Sequence, residues 1–239
     1  MKKAPKGNTQ FQVTQSIYEY LQQANRPGPL SFLDLPCGQA EFLKFVVEQF
    51  PKSEGLGIEI KPFPEHHETN ELKFKYLNLS QPFKLEKKYD VVTSISGVME
   101  FENTALFIDS CRSHLKDDGL LFITNDNIQT LRDRFSFFCY GKLRRFPMCM
   151  TPGQPTYKSV PIQELHKILI ERGFNVLKIQ YTSTRLGDWL SLPVALVFYA
   201  MMAFYIAREK STMPMKRRFE LFPLKALMSR HYYLVAQPK

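Results

Sequence analysis

The stretch "SFLDLPCGQAEFLKFV", Ser31 to Val46, decides the fold. Strand formers run into Asp34, a turn containing Pro36, Cys37 and Gly38 follows, and an apolar helical spacing starts at once. Strand, tight turn and helix in immediate succession open a parallel α/β unit, and ligands of such sheets sit at the carboxyl ends of the strands. Working outward, the periods predict helices over 12–23, 40–50, 104–115 and 161–174, the last closed by Gly173. Strands are predicted over 30–35, 54–60, 73–79, 89–96, 119–125, 175–183 and 231–237. This alternation is that of a doubly wound, Rossmann-like α/β sheet.

The turn itself discriminates between ligands. A dinucleotide needs three glycines spaced so that its pyrophosphate lies against bare backbone at a helix N-terminus. Here Pro36 and Ala40 stand where glycines are commoner, and Glu41 would repel a pyrophosphate. A phosphate-free adenosine ligand fits better. Glu59 ends the second predicted strand 21 residues beyond Gly38, where a carboxylate can accept from both hydroxyls of a ribose.

Composition bounds the remainder. The chain of 239 residues is 44% hydrophobic and has no Gly/Ser-rich or Pro-rich linker, which predicts one domain with an appendage. The organisation expected is a helical lead-in (1–28), a cofactor-binding half (29–127), a substrate-side half (128–184), an apolar and basic helical insertion (185–229) and a last strand (230–239). Four cysteines without C-x-x-C spacing argue against zinc and against a disulfide scaffold, so no metal and a reducing, cytoplasmic setting are expected. The N-terminal "MKKAPKGNTQFQV" has no apolar core of a secretory signal. Charge is uneven: residues 1–127 hold 14 Lys and Arg against 17 Asp and Glu, a net of −3, while residues 128–239 hold 18 against 6, a net of +12. A basic second half suits an anionic substrate, an anionic membrane or nucleic acid.

Five segments, "LDLPCGQAEF", "GLGIEI", "YLNL", "YDVVTSISGVMEF" and "HLKDDGLLFITNDN", resemble in order and spacing the class I S-adenosylmethionine-dependent methyltransferases. The following segments look like the second half of the group that often acts on small molecules, quinone precursors or surface glycans. The resemblance implies S-adenosylmethionine as cofactor and a seven-stranded sheet with strand seven antiparallel, here with an apolar helical insertion before it. It implies that Asp34 faces the methionine amino group through water, and that Cys37, Gly38 and Ala40 let backbone approach the methionine and ribose. Glu59 would hold the ribose, with Ile60 against the adenine. Asn78, beside Leu79, would accept from the adenine amino group, and Ser94 to Gly97, Ser96 among them, would lie beneath the methionine. Phe101 stands where many relatives have a histidine, so no shared base is implied.

Glu100 and Asn127 fall at the correct rim of the sheet, and Glu100 is the only obvious base of the two. His66 and His67 read as exposed loop residues, and His114 and His166 as surface or boundary residues. Cys37 reads as a small turn residue, not a nucleophile. The uncharged run Trp189 to Ala207 is as long as a marginal membrane span, but strands six and seven must share a sheet, so it must return to its own side. It fits internal packing or a homodimer contact, a lid, or an element lying at the inner face of a membrane. Pro193 and the neighbouring "REKSTMPMKRR" favour the last. The activity expected is O-methylation of a small, lipidic or glycan acceptor. A nucleic-acid methyltransferase lacks its Asn/Asp-Pro-Pro-aromatic sequence here, and a non-catalytic cofactor-binding module is the third alternative.

Overall fold

The computed structural model describes residues 2–7, 9–152 and 158–239. Its first strand, β1 (Ser31–Asp34), is buried at every position, as a short apolar run in the centre of a parallel sheet must be. Parallel to it on one side lie β2 (Glu54–Glu59) and then β3 (Leu72–Tyr76), and on the other β4 (Tyr89–Ile95) and then β5 (Leu115–Asp126). Beyond β5, β7 (His231–Pro238) runs antiparallel between β5 and β6 (Phe174–Thr182). Among the described residues the sheet is seven-stranded, in the order β3-β2-β1-β4-β5-β7-β6. The expected doubly wound sheet with an antiparallel seventh strand is therefore the observed one.

Alternation along the strands divides the core between the two faces. Phe32 points to the side where α1 (Phe11–Ala24) and α2 (Glu41–Gln49) pack through Val13, Ile17, Leu21, Phe42, Leu43 and Val46. Leu33 points to the opposite side, against α3 (Thr104–Ser113) and α5 (Ile162–Glu171) through Phe107, Ile108, Leu165 and Leu169. Strand order reverses between β1 and β4, so their carboxyl ends diverge and leave a crevice there. One close contact sets its floor. A Cβ on Gly97, just past β4, would lie 2.2 Å from Cδ of Pro36 in the turn after β1. Gly97→Ala must push the two turns apart and is expected to cost about 1 to 3 kcal/mol, read by chemical denaturation.

Several elements differ from the pattern. The third strand stops at Tyr76, short of the predicted residue 79, because Asn78 Oδ1 accepts from Ser80 N at 2.9 Å and turns the chain. The fifth starts earlier than predicted, at Leu115, which pairs with Tyr89 before a register shift. Helix α4 (Leu131–Tyr140) has no amphipathic stripe to announce it, and it leaves Phe135, Phe137, Phe138 and Tyr140 exposed. His114 and His166, expected near the surface, are buried. His114 Nε2 accepts from Leu85 N at 2.9 Å, and burial pushes both imidazoles below their usual range.

The apolar run between β6 and β7 is not one helix. It forms the short α6 (Leu186–Trp189) and then α7 (Leu192–Arg208), with Pro193 in the first turn of α7, where its missing N–H costs nothing. A third helix, α8 (Met215–Leu221), follows. Thr182 pairs with His231 across β6 and β7, so the insertion leaves and re-enters at one end of one sheet. No described helix is long and apolar enough to cross a membrane.

Candidate active site

At the end of β1 the chain turns within a few residues, and backbone bonds hold every step. Leu35 N donates to Thr93 O at 2.8 Å, Cys37 N to Ile58 O at 2.9 Å, and Ala40 N to Cys37 O at 2.8 Å. Gly38 adopts φ +52° and Ala40 φ +60°, the left-handed conformation that lets α2 begin directly at Glu41. Gly38 N donates to Glu59 Oε2 at 3.0 Å and Ile60 N to Glu59 Oε1 at 2.8 Å. These two backbone donors hold the Glu59 carboxylate at the end of β2 and leave its remaining lone pairs facing outward.

Behind the turn stands His66, which the sequence placed in an exposed loop. Its ring is half-buried and stacks on Phe74 with centroids 4.2 Å apart, and its Nε2 lies 2.6 Å from Gly38 O. It supports the turn from outside.

The turn walls a cavity of about 410 Å³, within the range of small-molecule cofactor sites. Asp34, Cys37, Gly38, Glu59, Ser96 and Glu100 all line it. The N-terminal arm closes one side through Lys6, Gly7 and Thr9, and Gly7 N donates to Glu41 Oε2 at 2.9 Å. Glu41 thus fastens the arm. The other candidates stand away from the cavity lining among the described residues. Ala40 is fully buried behind the turn, Leu79 packs into the core below the sheet, and Ser94 is buried with its Oγ lacking a hydrogen-bond partner. Ile60 is 64% exposed beside Glu59, and Asn78 is exposed past β3. What Ala40, Leu79 and Ser94 offer at this end of the sheet is packing and backbone, since their side chains are buried.

Acidity concentrates in the cavity. Asp34 is 3% exposed, accepts from Thr93 Oγ1 at 2.6 Å, and is pushed up to about 7, chiefly by burial and further by Glu59. Glu100, at the open side, is raised by partial desolvation and by Glu59. Burial, with Asp34 and Glu59 beside it, pushes the Cys37 thiol far up, which removes it as a nucleophile.

A second cavity, of about 110 Å³, adjoins the first across Met99 and Arg145, which line both. Its wall carries residues that sequence reasoning missed. Asp126 at the end of β5 and His231 at the start of β7 are opposite one another in the antiparallel register. His231 Nε2 lies 3.0 Å from Asp126 Oδ1, and Arg145 pairs with the other carboxylate oxygen. His231 is 5% exposed, and its Nδ1 has no partner. Arg144, Arg230 and Lys158 complete a basic lining. Asn127, expected at this rim, is there, but its amide donates to Ala226 O at 2.6 Å and Ser229 O at 2.7 Å, which fixes the loop before β7.

A methyltransferase-domain family profile matches residues 9–179. The chain belongs to that family. Among solved structures, the methyltransferase is similar to magnesium protoporphyrin IX methyltransferase from Synechocystis with bound S-adenosylhomocysteine. That match has 16% identity and a TM-score of 0.56, and covers 95% of this chain and 82% of the other. It is similar as well to an S-adenosylmethionine-dependent methyltransferase from Mesorhizobium loti, at 12% identity and a TM-score of 0.55, with 91% and 96% of the two chains covered. Coclaurine N-methyltransferase bound to N-methylheliamine and S-adenosylhomocysteine matches at 14% identity and a TM-score of 0.55, with 93% and 69% covered. No curated protein matches the sequence.

The methyltransferase uses S-adenosylmethionine, and the residues present fit it. A ligand with a ribose, a sulfonium and an amino-acid end needs a carboxylate for the hydroxyls, acidic surroundings for the cations and a cation for its carboxylate. One lining carries groups of each kind, the carboxylates of Glu59, Asp34 and Glu100 and the cations of Lys6 and Arg145. Glu59→Ala removes the carboxylate expected to take the ribose, and the partner of two backbone N–H groups. Affinity for S-adenosylhomocysteine is expected to fall by about 1.5 to 3 kcal/mol per charge-assisted bond lost, measured by calorimetry on a variant with unchanged circular dichroism. Unaltered affinity would remove Glu59 from the ribose site.

Proposed function

We propose that the chain methylates a hydroxyl of a small or lipidic acceptor, with His231 as general base. When bound, S-adenosylmethionine supplies a methyl group on a sulfonium that an acceptor oxygen can attack. The observation that carries the reading is the buried, unpartnered Nδ1 of His231 in the cavity adjoining the cofactor site. In this reading Asp126, 3.0 Å from Nε2, keeps the proton on that nitrogen, and Nδ1 takes the proton that the acceptor hydroxyl gives up. Asp126 then stabilises the imidazolium, as the carboxylate partner of a catalytic histidine does. Glu59 is the proposed ribose ligand and Asp34 that of the methionine ammonium. Ile60 and Asn78, on the open side, are the proposed adenine contacts, and Gly38 and Ser96 the backbone lining. Glu100 sits on the cofactor side of Met99, facing the cationic end, where a carboxylate serves binding better than proton removal.

The acceptor cavity limits the substrate. At about 110 Å³ it lies below the size of a pocket that encloses a whole small molecule, so it takes only the reactive end. Its arginines favour negative charge close to the hydroxyl. Labelled S-adenosylmethionine incubated with phenolic and carboxylated amphiphiles, and with amine analogues of the same shape, tests the assignment. The label is expected on oxygen, with amine analogues at less than about a tenth of the rate. Transfer to nitrogen alone, or none with the cofactor demonstrably bound, would rule it out.

A further inference from the structure

Helices α4, α6 and α7 carry a surface that the catalytic reading does not use. Phe138, Leu186, Leu190, Val197, Met201 and Phe204 are between 60% and 88% exposed. Leu131 of α4 packs with Ala195, Tyr199 and Met202 of α7, and Arg134 reaches Met202 Sδ at 3.5 Å, so the helices form one face. Of α7's 17 residues only Ala195 and Ile206 are buried. An apolar face of this extent on a folded domain marks a site of association.

Charge identifies what associates. Residues 131–150 and 185–221 together hold 11 Lys and Arg against four Asp and Glu. Three of those acids are already paired: Asp133 with Arg144, Asp188 with Arg132 and Arg230, and Glu220 with Arg217. Arg145 is paired as well, with Asp126, which leaves seven cations in these segments against Glu209 alone. A second copy of the chain would bring the same positive rim against itself. An anionic bilayer would complement it, taking the apolar side chains below the headgroups.

The insertion leaves and re-enters at the Thr182–His231 end of the sheet, and α7 packs there against Leu224, Leu227 and Met228 of the segment before β7. Arg144 and Arg230 line both the acceptor cavity and the crevice beside Asp188 and Ser191, so the face adjoins the end of the sheet where His231 stands.

We propose that α4, α6 and α7 form an interfacial docking face for an anionic lipid surface. The inference does not depend on His231 being the base, because its test reads binding and not turnover. The chain has a single tryptophan, Trp189, and it lies on this face, 49% exposed. Full-length protein is mixed with phosphatidylcholine vesicles with and without phosphatidylglycerol, and flotation and Trp189 emission are recorded. Flotation should be at least about tenfold stronger on the anionic vesicles, at about fivefold per basic residue engaged, and salt should weaken it only in part. Trp189 emission should shift to the blue, and lipid-borne quenchers should reduce it. Leu190→Glu combined with Val197→Glu should reduce flotation at least about tenfold, while S-adenosylhomocysteine affinity and melting temperature stay put. The proposal is overturned if the wild type ignores anionic vesicles at low salt, or if the double variant floats as the wild type does. A blue shift of Trp189 that follows protein concentration without lipid would overturn it too, since a second copy would then cover the face.

Discussion

Replacing His231 with glutamine is expected to lower kcat by about 10²- to 10⁴-fold, with cofactor affinity unchanged within about twofold. Glutamine keeps a polar side chain of similar length between β5 and β7 but cannot take a proton at neutral pH. His231 is buried in the lining of the acceptor cavity, with Nε2 3.0 Å from the Asp126 carboxylate and Nδ1 without a protein partner. A buried nitrogen left unpartnered costs folding free energy, about 1 to 3 kcal/mol, unless a ligand completes it. The measurement is kcat at saturating acceptor and cofactor, followed across pH. The limb of the profile that reports the base should vanish in the variant.

Two companion variants separate base from scaffold. Asp126→Asn leaves the shape but lets the amide accept or donate, so the tautomer with Nδ1 as acceptor is no longer enforced. A loss approaching that of His231→Gln is expected. Glu100→Gln should chiefly weaken cofactor binding. Were Glu100→Gln to carry the loss in kcat while His231→Gln stayed within about twofold, the base would be Glu100.

The difference between these two residues shows what a sequence displays and what it hides. Glu100 could be found because it lies five residues past Ile95, at a strand end that the pattern marks. The turn from Asp34 to Glu41 and the Glu59 carboxylate were legible for the same reason, since one local β-α-β unit holds them at fixed separations. Asp126 and His231 are 105 residues apart, and they meet only through the antiparallel register of β5 and β7. The available signal was a charged or titratable residue at the end of each of two apolar strands, "LLFITND" and "HYYLVAQ", but pairing them required the sheet order. Ala40, Leu79 and Ser94 are near the cavity in sequence, but their side chains are buried in the turn and the core. Helix α4 gave no periodic signal because its aromatic residues face outward. The break between α6 and α7 was foreshadowed only by Pro193.

The Asp34→Asn variant is expected to stabilise the empty protein and weaken the cofactor complex at pH 8, and the two effects share one cause. Burial raises Asp34 from 3.8 to about 7 in the empty protein. Between those values the native state binds a proton that the unfolded chain has released, so stability falls as pH rises through this window. The full effect approaches about 4 kcal/mol above pH 7, at 1.36 kcal/mol per unit. Asparagine can still accept from Thr93 Oγ1 but has no charge to bury. The empty variant should therefore lose this pH dependence and gain roughly 2 to 4 kcal/mol at pH 8 in a denaturation experiment. Binding has the opposite sign. With Asp34 as the proposed partner of the methionine ammonium, wild-type affinity for S-adenosylhomocysteine should rise about tenfold per pH unit up to pH 7 and then level off. The variant should be flat across that range and weaker at pH 8 by about 1.5 to 3 kcal/mol, the worth of a charge-assisted bond. Calorimetry at pH 5.5, 7 and 8 decides it. Wild-type affinity that does not change over this range would mean that Asp34 is ionised without the ligand or does not touch it, and the acidic floor of the cavity would then belong to Glu59 alone.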